Sequence, residues 1–316
     1  MPRAVGSQQK RLKFITNKTK DGYVKGKVSF YCKVLKVSRQ AFYEHLKHKN
    51  HPWKYQYIAD EINKILDEDL YNDTYGRLRM FEAIKLRHEN DPKFHIPSAR
   101  TIYRIMKVLG LSHRPKRNTH GITKADRETR KSEDLLKRNF YSEKPLTKCI
   151  TDISEIKARD GKLYVSVIFD CFDTSALAIS LDTNMKATLA KNTLDKAYMA
   201  YPSLKGAIIH SDRGSHYTSE LYRKAIKKYG IIQSMNSASG RCHDNARCES
   251  MWARMKEELF YSRNRKSTSF SVEDLKVMVW RYFISYWNNR RICSSNHGLP
   301  PILKRKLYYH SLLNAS

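Results

Sequence analysis

At Lys148 the apolar period of this chain changes from helical to two, and that change constrains the fold more than any other feature. Residues 148–156, 162–169 and 176–181 read as strands, the middle one alternating Leu163, Val165, Val167 and Phe169. Asp160-Gly161 between the first two is a hairpin turn signal. A helical stretch over 186–201 leads to a short apolar strand at 207–209. Helices follow at 219–229, stopped by Gly230, and at 244–258. Strands interleaved with helices in this order predict an α/β core, a mixed sheet flanked by helices.

Before Lys148 the pattern is all-helical. Residues 1–22 carry Arg3, Lys10, Arg11, Lys13, Lys18 and Lys20 with little apolar periodicity, and read as a solvated basic arm able to lie on DNA. From Lys27 onward Val28, Tyr31, Val34 and Leu35 share a helical face. Ser38 is an N-cap type opening a second short helix at 39–46. Two short helices around a tight turn predict a helix-turn-helix over 23–50, with Arg39, Gln40 and Tyr43 at the front of its recognition helix. A small helical hairpin with no DNA role would carry the same pattern.

Stripes at Ile58, Ile62, Ile65, then Leu78, Phe81, Ile84, then Ile102, Ile105, Met106, Leu109 predict a second such domain over 51–112. Its last helix, capped by Ser98 and ended at Gly110, shows Arg100, Thr101 and Arg104 outward. A charged linker at 113–140, helical in its later half from 124, marks the expected domain boundary before a core at 141–265. A C-terminal helical extension over 266–316 has an apolar-striped helix at 272–286, with regular structure expected to end at Leu299-Pro300-Pro301.

The 316 residues include 60 Lys+Arg against 31 Asp+Glu, a formal charge of +29 that predicts a polyanionic partner. No apolar run is long enough to span a bilayer and no signal peptide opens the chain, so nucleic acid is favoured over a membrane. The six cysteines form no Cys-x-x-Cys pair, which argues against zinc and for reduced thiols in the cytosol.

Three carboxylates stand out. Asp152 lies on the first strand, Asp212 follows the short strand, and Glu249 lies in the first turns of the 244–258 helix, behind the capping types Asp244-Asn245. Gly214 is read as permitting a sharp turn after Asp212. Lys256, seven residues after Glu249, shares its helical face. Hard divalent cations prefer such oxygen ligands, and a metal pair about 4 Å apart can clamp both reacting oxygens of a phosphodiester. Taken singly, each residue has a plain reading as a surface charge, a turn former or an intrahelical ion pair.

The words around these residues resemble a family. His-Ser-Asp-Arg-Gly-Ser-His-Tyr-Thr-Ser (210–219), Ser-Met (234–235), Asp-Asn-Ala-x-x-Glu-Ser (244–250) and Lys256-Glu257 are similar to bacterial insertion-sequence transposases of the retroviral-integrase (DDE) superfamily. More narrowly, they resemble the second-reading-frame product of the copy-out–paste-in group. The resemblance continues at Tyr75-Gly76-Arg77, Arg104-Ile105-Met106, Gly110-Leu111, 286–291 and Pro301. It implies a ribonuclease-H-like core with a mixed five-stranded sheet and a metal triad at Asp152, Asp212 and Glu249, Lys256 contacting DNA. Asp170 matches a recurring non-catalytic acidic position, and Asp173, Asp244 and Glu258 fall outside the triad. One more residue separates Asp212 from Glu249 than the family usually leaves, placed by this reading in the 236–240 loop.

The resemblance further implies two Mg²⁺ ions per site, Mn²⁺ substituting, and double-stranded DNA substrates, both terminal inverted repeats and target. It implies a homo-oligomer on DNA in the cytoplasm, associated with the nucleoid, and an upstream-frame partner protein, since the chain shows no heptad segment of its own. The reaction expected is strand cleavage and strand transfer at the element's ends. The competing readings are a catalytically inactive transposase-derived DNA-binding regulator and a plain hybrid-cleaving ribonuclease.

Overall fold

Charge does not keep the N-terminal segment from folding. In the computed structural model, which describes residues 3–24, 26–49, 53–111, 133–236, 245–263 and 265–314, helix α1 spans Arg3–Lys18. Leu12 and Ile15 on one of its faces are buried with Val28, Cys32, Val37 and Phe42. The expected solvated arm is therefore corrected to a core-forming helix. Two apolar side chains three residues apart suffice to seat it, while Lys10, Arg11 and Lys13 turn outward.

Two short helices around a turn are present where the sequence placed them. Helices α2 (Lys27–Val34) and α3 (Arg39–Lys49) flank a turn in which Lys36 takes a left-handed φ of 50°. Ser38 Oγ accepts from Ala41 N at 3.1 Å, the capping bond expected of it. Val34 is exposed and Cys32 fills the core place assigned to it, because the buried face follows an i, i+4 spacing from Val28. These helices form one compact unit that ends at Tyr57.

The second unit runs from Ile58 onward. Helix α4 (Gln56–Glu68) buries Ile58, Ile62 and Ile65 as the periodicity requires. Helix α5 (Arg77–Arg87) buries Met80, Ala83 and Ile84 instead, leaving Leu78 exposed and Phe81 half-buried. The stripe read from its largest apolar residues was rotated from the true buried face. Helix α6 (Ala99–Val108) opens on the expected Ser98 cap and buries Ile102, Ile105 and Met106. Gly110 ends it at a φ of 77°, with Leu111 N donating to Met106 O at 2.8 Å.

Most of the linker, residues 112–132, lies outside the described residues. The described part, 133–140, forms turns rather than a helix.

Strands β1 (Lys148–Lys157), β2 (Lys162–Asp170), β3 (Ala176–Asp182), β4 (Ile208–Ser211) and β5 (Ile232–Met235) build one sheet in the order β3-β2-β1-β4-β5. The first three are antiparallel neighbours; β4 and β5 join parallel to β1. This is the five-stranded, helix-flanked ribonuclease-H-like plan. Strand β5 has no period-two signal of its own, because only Ser234 and Met235 of its four residues are buried.

Helices α7 (Ala187–Ala200), α8 (Ser215–Thr218) and α9 (Glu220–Lys228) cover one sheet face around Cys149, Ile168, Leu194 and Ile209. Helix α10 (Ala246–Leu259) covers the other with the C-terminal segment. There α11 (Val272–Trp280) passes into a π-helical stretch, Arg281–Trp287, which buries Tyr282, Phe283, Tyr286 and Trp287 together. Phe169 of β2 and Trp252 of α10 meet this cluster edge-on, Phe169 to Phe283 at 5.5 Å and Trp252 to Phe283 at 5.8 Å. Regular structure does not end at Pro300-Pro301. Pro301 opens α12 (Pro301–Asn314), the first-turn position where proline's missing N–H costs nothing.

Two buried ion clusters tie the C-terminal segment to the sheet and to α5. Glu258 accepts from Arg291 at 2.6 and 3.0 Å, from Arg79 at 2.8 Å and from Tyr282 at 2.8 Å. Arg305 of α12 holds Asp173 at 2.7 Å and Asp170 at 2.7 Å. Both clusters are structural, and they hold Asp170, Asp173 and Glu258 in arginine pairs. Burial opposes the charge on Glu258, yet Arg291 and Arg79 hold its pKa down at about 2.

Because that pKa lies below the ordinary 4.5, the pair's contribution to stability is complete above pH 4.5 and fades as pH falls toward 2. Arg291→Met, which leaves the buried Glu258 with only Arg79 and Tyr282, is expected to lower unfolding free energy by about 3 kcal/mol at pH 7. Urea denaturation followed by tryptophan fluorescence checks this; an unchanged midpoint would refute the assignment.

Candidate active site

Strand pairing brings the two aspartates together. The parallel register between β1 and β4 matches Lys148 to Ile208, Cys149 to Ile209 and Ile150 to His210. Two residues further along both strands come Asp152 and Asp212. Residues paired this way point to one side of a sheet, on strands about 4.8 Å apart. Asp152 is half-buried in mid-strand, and Asp212 follows the last residue of β4.

Burial, then the nearby charge of Asp212 and that of Glu249, push the Asp152 carboxyl up to about 7. Two hydrogen bonds pull the other way: Ile153 N donates to Oδ1 at 2.9 Å, and Trp252 Nε1 donates to Oδ2 at 3.0 Å. Trp252 was not anticipated as a site residue. Its spacing three residues after Glu249 on one helix reads as core packing, and only the tertiary structure shows its single donor turned onto a carboxylate.

Asp212 sits in a loop that is closed on itself. Its Oδ1 accepts from Gly214 N at 3.0 Å, and His216 Nε2 lies 3.9 Å from the same oxygen. Gly214 was read as freeing the backbone, but its φ is −61°, open to any residue. Space is the reason for glycine. A Cβ there would lie 2.4 Å from His216 Cε1 and 3.0 Å from Asp212 Oδ1. Burial lowers the His216 pKa, partly offset by Asp212. Next to this loop, His210 is buried between Ser234 Oγ at 2.8 Å and Asn236 Oδ1 at 2.9 Å, which ties β4 to β5.

Glu249 lies in the first turn of α10 and is exposed. Asp244, half of the expected cap, is outside the described residues, as is the 237–240 loop. Asn245 precedes the helix without a side-chain cap and points its amide at Thr151 O, 3.5 Å away. The neighbouring Cys248 is fully buried, and its thiol is pushed up by burial and by the charges of Asp152, Cys171 and Asp212. The start of α10 therefore packs beside both aspartates. Lys256, half-buried on the same helix, has its pKa lowered by burial against the opposing pull of Glu155 and Asp152.

Among the described residues, no three His, Cys, Asp or Glu side chains are gathered into a finished metal-binding group. The donor set nonetheless fits hard divalent cations: carboxylate oxygens alone, in mutual repulsion, with one ammonium at the edge.

The expected DNA contacts are exposed on their own helices. Arg39, Gln40 and Tyr43 are exposed on α3, Gln40 donating to Glu44 at 3.4 Å. Arg100 and Arg104 are exposed on α6, beside Tyr103 with Lys107 4.7 Å above its ring.

A pKa of about 7 against the ordinary 3.8 means that Asp152 favours folding while protonated, an advantage complete below pH 3.8 and lost as pH rises through 7. In EDTA the protein is expected to lose stability between pH 5 and 8, and Asp152→Asn to lose less. Urea titrations at both pH values measure the difference; parallel behaviour of the two proteins would contradict it.

Comparison with known proteins shows the family. A family model, the integrase core domain, matches residues 142–242. A putative transposase InsK for insertion sequence element IS150 of Escherichia coli (strain K12) is 30% identical over 284 residues, covering 88% of this chain and 93% of that protein. A probable transposase for insertion sequence element IS1353 of Shigella flexneri is 33% identical over 268 residues, 85% of this chain, and the chain spans 50% of that relative's length. Among solved structures, the HTLV-2 integrase catalytic core domain in complex with magnesium (trimeric form) aligns with a TM-score of 0.36 at 15% identity, covering 52% of this chain and 99% of that one. By its relatives and its core, the chain belongs to the bacterial insertion-sequence transposases of the DDE integrase superfamily.

Proposed function

We propose that this protein cleaves DNA at the ends of an insertion sequence and joins the freed 3′-hydroxyl to another phosphodiester, with Asp152, Asp212 and Glu249 holding two Mg²⁺ ions. The observation that carries this reading is the register of β1 and β4, which seats Asp152 and Asp212 side by side where their charges repel. Bound divalent ions would supply Lewis-acid activation of the attacking oxygen and charge relief at the leaving one.

The chain's own residues have the remaining tasks. Trp252 holds one Asp152 oxygen in place, and its ring is braced by Phe169 and Phe283. Lys256 offers a cation to a backbone phosphate beside the carboxylates. Its burial lowers the cost of giving up water on contact with DNA. Exposed Arg39, Gln40 and Tyr43 on a recognition helix suit base edges in a major groove, and Arg100 and Arg104 suit phosphates or bases of the terminal repeats. The charge of +29 supplies long-range attraction to both end and target duplexes. The relatives are transposases for insertion sequences, whose two ends must be paired, which favours a homo-oligomer on DNA. An upstream-frame partner protein remains part of this reading.

Purified protein on a duplex bearing the element's terminal repeat is expected to cleave and join in Mg²⁺ or Mn²⁺. Asp212→Asn and Glu249→Gln should reduce both steps to background while still binding the repeat. Retained cleavage in either variant would remove the carboxylate assignment and leave a DNA-binding regulator. Lys256→Ala and Arg104→Ala should each weaken binding and reduce the salt slope by about one, if each neutralises one phosphate. Binding isotherms across salt concentration decide this.

A further inference from the structure

His216 of the Asp212 loop is buried, and the reaction above leaves it without a task. It is 9% exposed, and among the described residues its Nε2 has no hydrogen-bond partner. A buried polar atom left unpaired is costly, so its presence calls for an explanation. The ring is not there by accident of a loose loop. It is wedged edge-on against Tyr217, ring centres 4.3 Å apart, and the space it occupies exists only because residue 214 has no Cβ. The unpaired nitrogen faces Asp212 Oδ1, 3.9 Å away, too long for a hydrogen bond and short enough that a small ring movement would make one.

We propose that His216 is a positioning residue for Asp212: as the carboxylates take up divalent cation, its Nε2–H closes onto Asp212 Oδ1. Gly214 N already donates to that oxygen at 3.0 Å. With a second donor there, Oδ1 is committed to the protein and Oδ2 is left as the free oxygen for a cation. Carboxylate ligands are commonly held by such outer hydrogen bonds, and losing one costs about 10–100-fold in metal affinity. The glycine and the histidine thus act together, one by offering its N–H and making room, the other by filling that room with a donor. This rests on the assignment of Asp212 as a metal ligand.

The test compares His216→Phe, which keeps a ring and removes the donor, with His216→Gln, which keeps an N–H donor. Mn²⁺ binding is read by electron paramagnetic resonance on the full-length protein, and Mg²⁺ dependence by end cleavage. His216→Phe is expected to weaken Mn²⁺ binding about tenfold or more and to raise the Mg²⁺ needed for half-maximal cleavage by a similar factor. His216→Gln should recover most of that loss. Far-ultraviolet circular dichroism and urea midpoints confirm that both variants fold. Equal Mn²⁺ affinity in wild type and His216→Phe would overturn the proposal, as would a His216→Gln as weak as His216→Phe, which would reduce the ring to packing. Asp212→Asn separates the two levels: Mn²⁺ affinity unchanged by that substitution would overturn the ligand assignment itself, and this inference with it.

Discussion

Repulsion between like charges is the constraint on which the rest of this protein turns. Asp152 on β1 and Asp212 just after β4 each lie two residues beyond the paired Ile150 and His210, and the charges of Asp212 and Glu249 both bear on Asp152. Burial first, and then that repulsion, push the Asp152 carboxyl up to about 7, so without a cation the cheapest relief is a proton on Asp152. A site that resists its own full ionisation is one that rewards a divalent ion. The energy for holding it open comes from elsewhere in the fold.

That support is visible as three devices behind the sheet. The aromatic cluster of Phe169, Trp252, Phe283 and Trp287 fixes the indole that holds Asp152. The Glu258 cluster fixes α10, the helix carrying Glu249 and Lys256, to Arg79 of α5 and to Arg291. The Arg305 cluster fixes α12 to the turn after β2. The π-helical stretch, which places Tyr282, Phe283, Tyr286 and Trp287 all inward, makes the first two devices contiguous. A C-terminal extension that reads as an appendage therefore acts as the buttress of the catalytic face. The α4–α6 region shares that buttress: Asp69 pairs with Arg290 at 2.8 Å, and Tyr71 packs on Tyr282 and Tyr286. The contacts divide the chain near residue 57 rather than in the linker around 113–140.

The chain by itself determined its class of fold and its candidate chemistry. Period-two apolar spacing and the Asp160-Gly161 turn suffice for the β1–β2 hairpin, since both are local. Ser38, Ser98 and Gly110 could be read because capping depends on a few consecutive residues. The motif words around Asp152, Asp212 and Glu249 were legible as a family resemblance. The apolar spacing of α1, α2 and α5 was less so, since the larger side chains are not always those that face the core. Only the tertiary structure decided that the N-terminal segment is a core helix, that Pro301 begins a helix, and that Trp252 reaches Asp152. Those outcomes depend on which surfaces meet across tens of residues. A hydrogen bond 100 residues apart in the chain, such as that from Trp252 to Asp152, leaves no periodic trace in either segment.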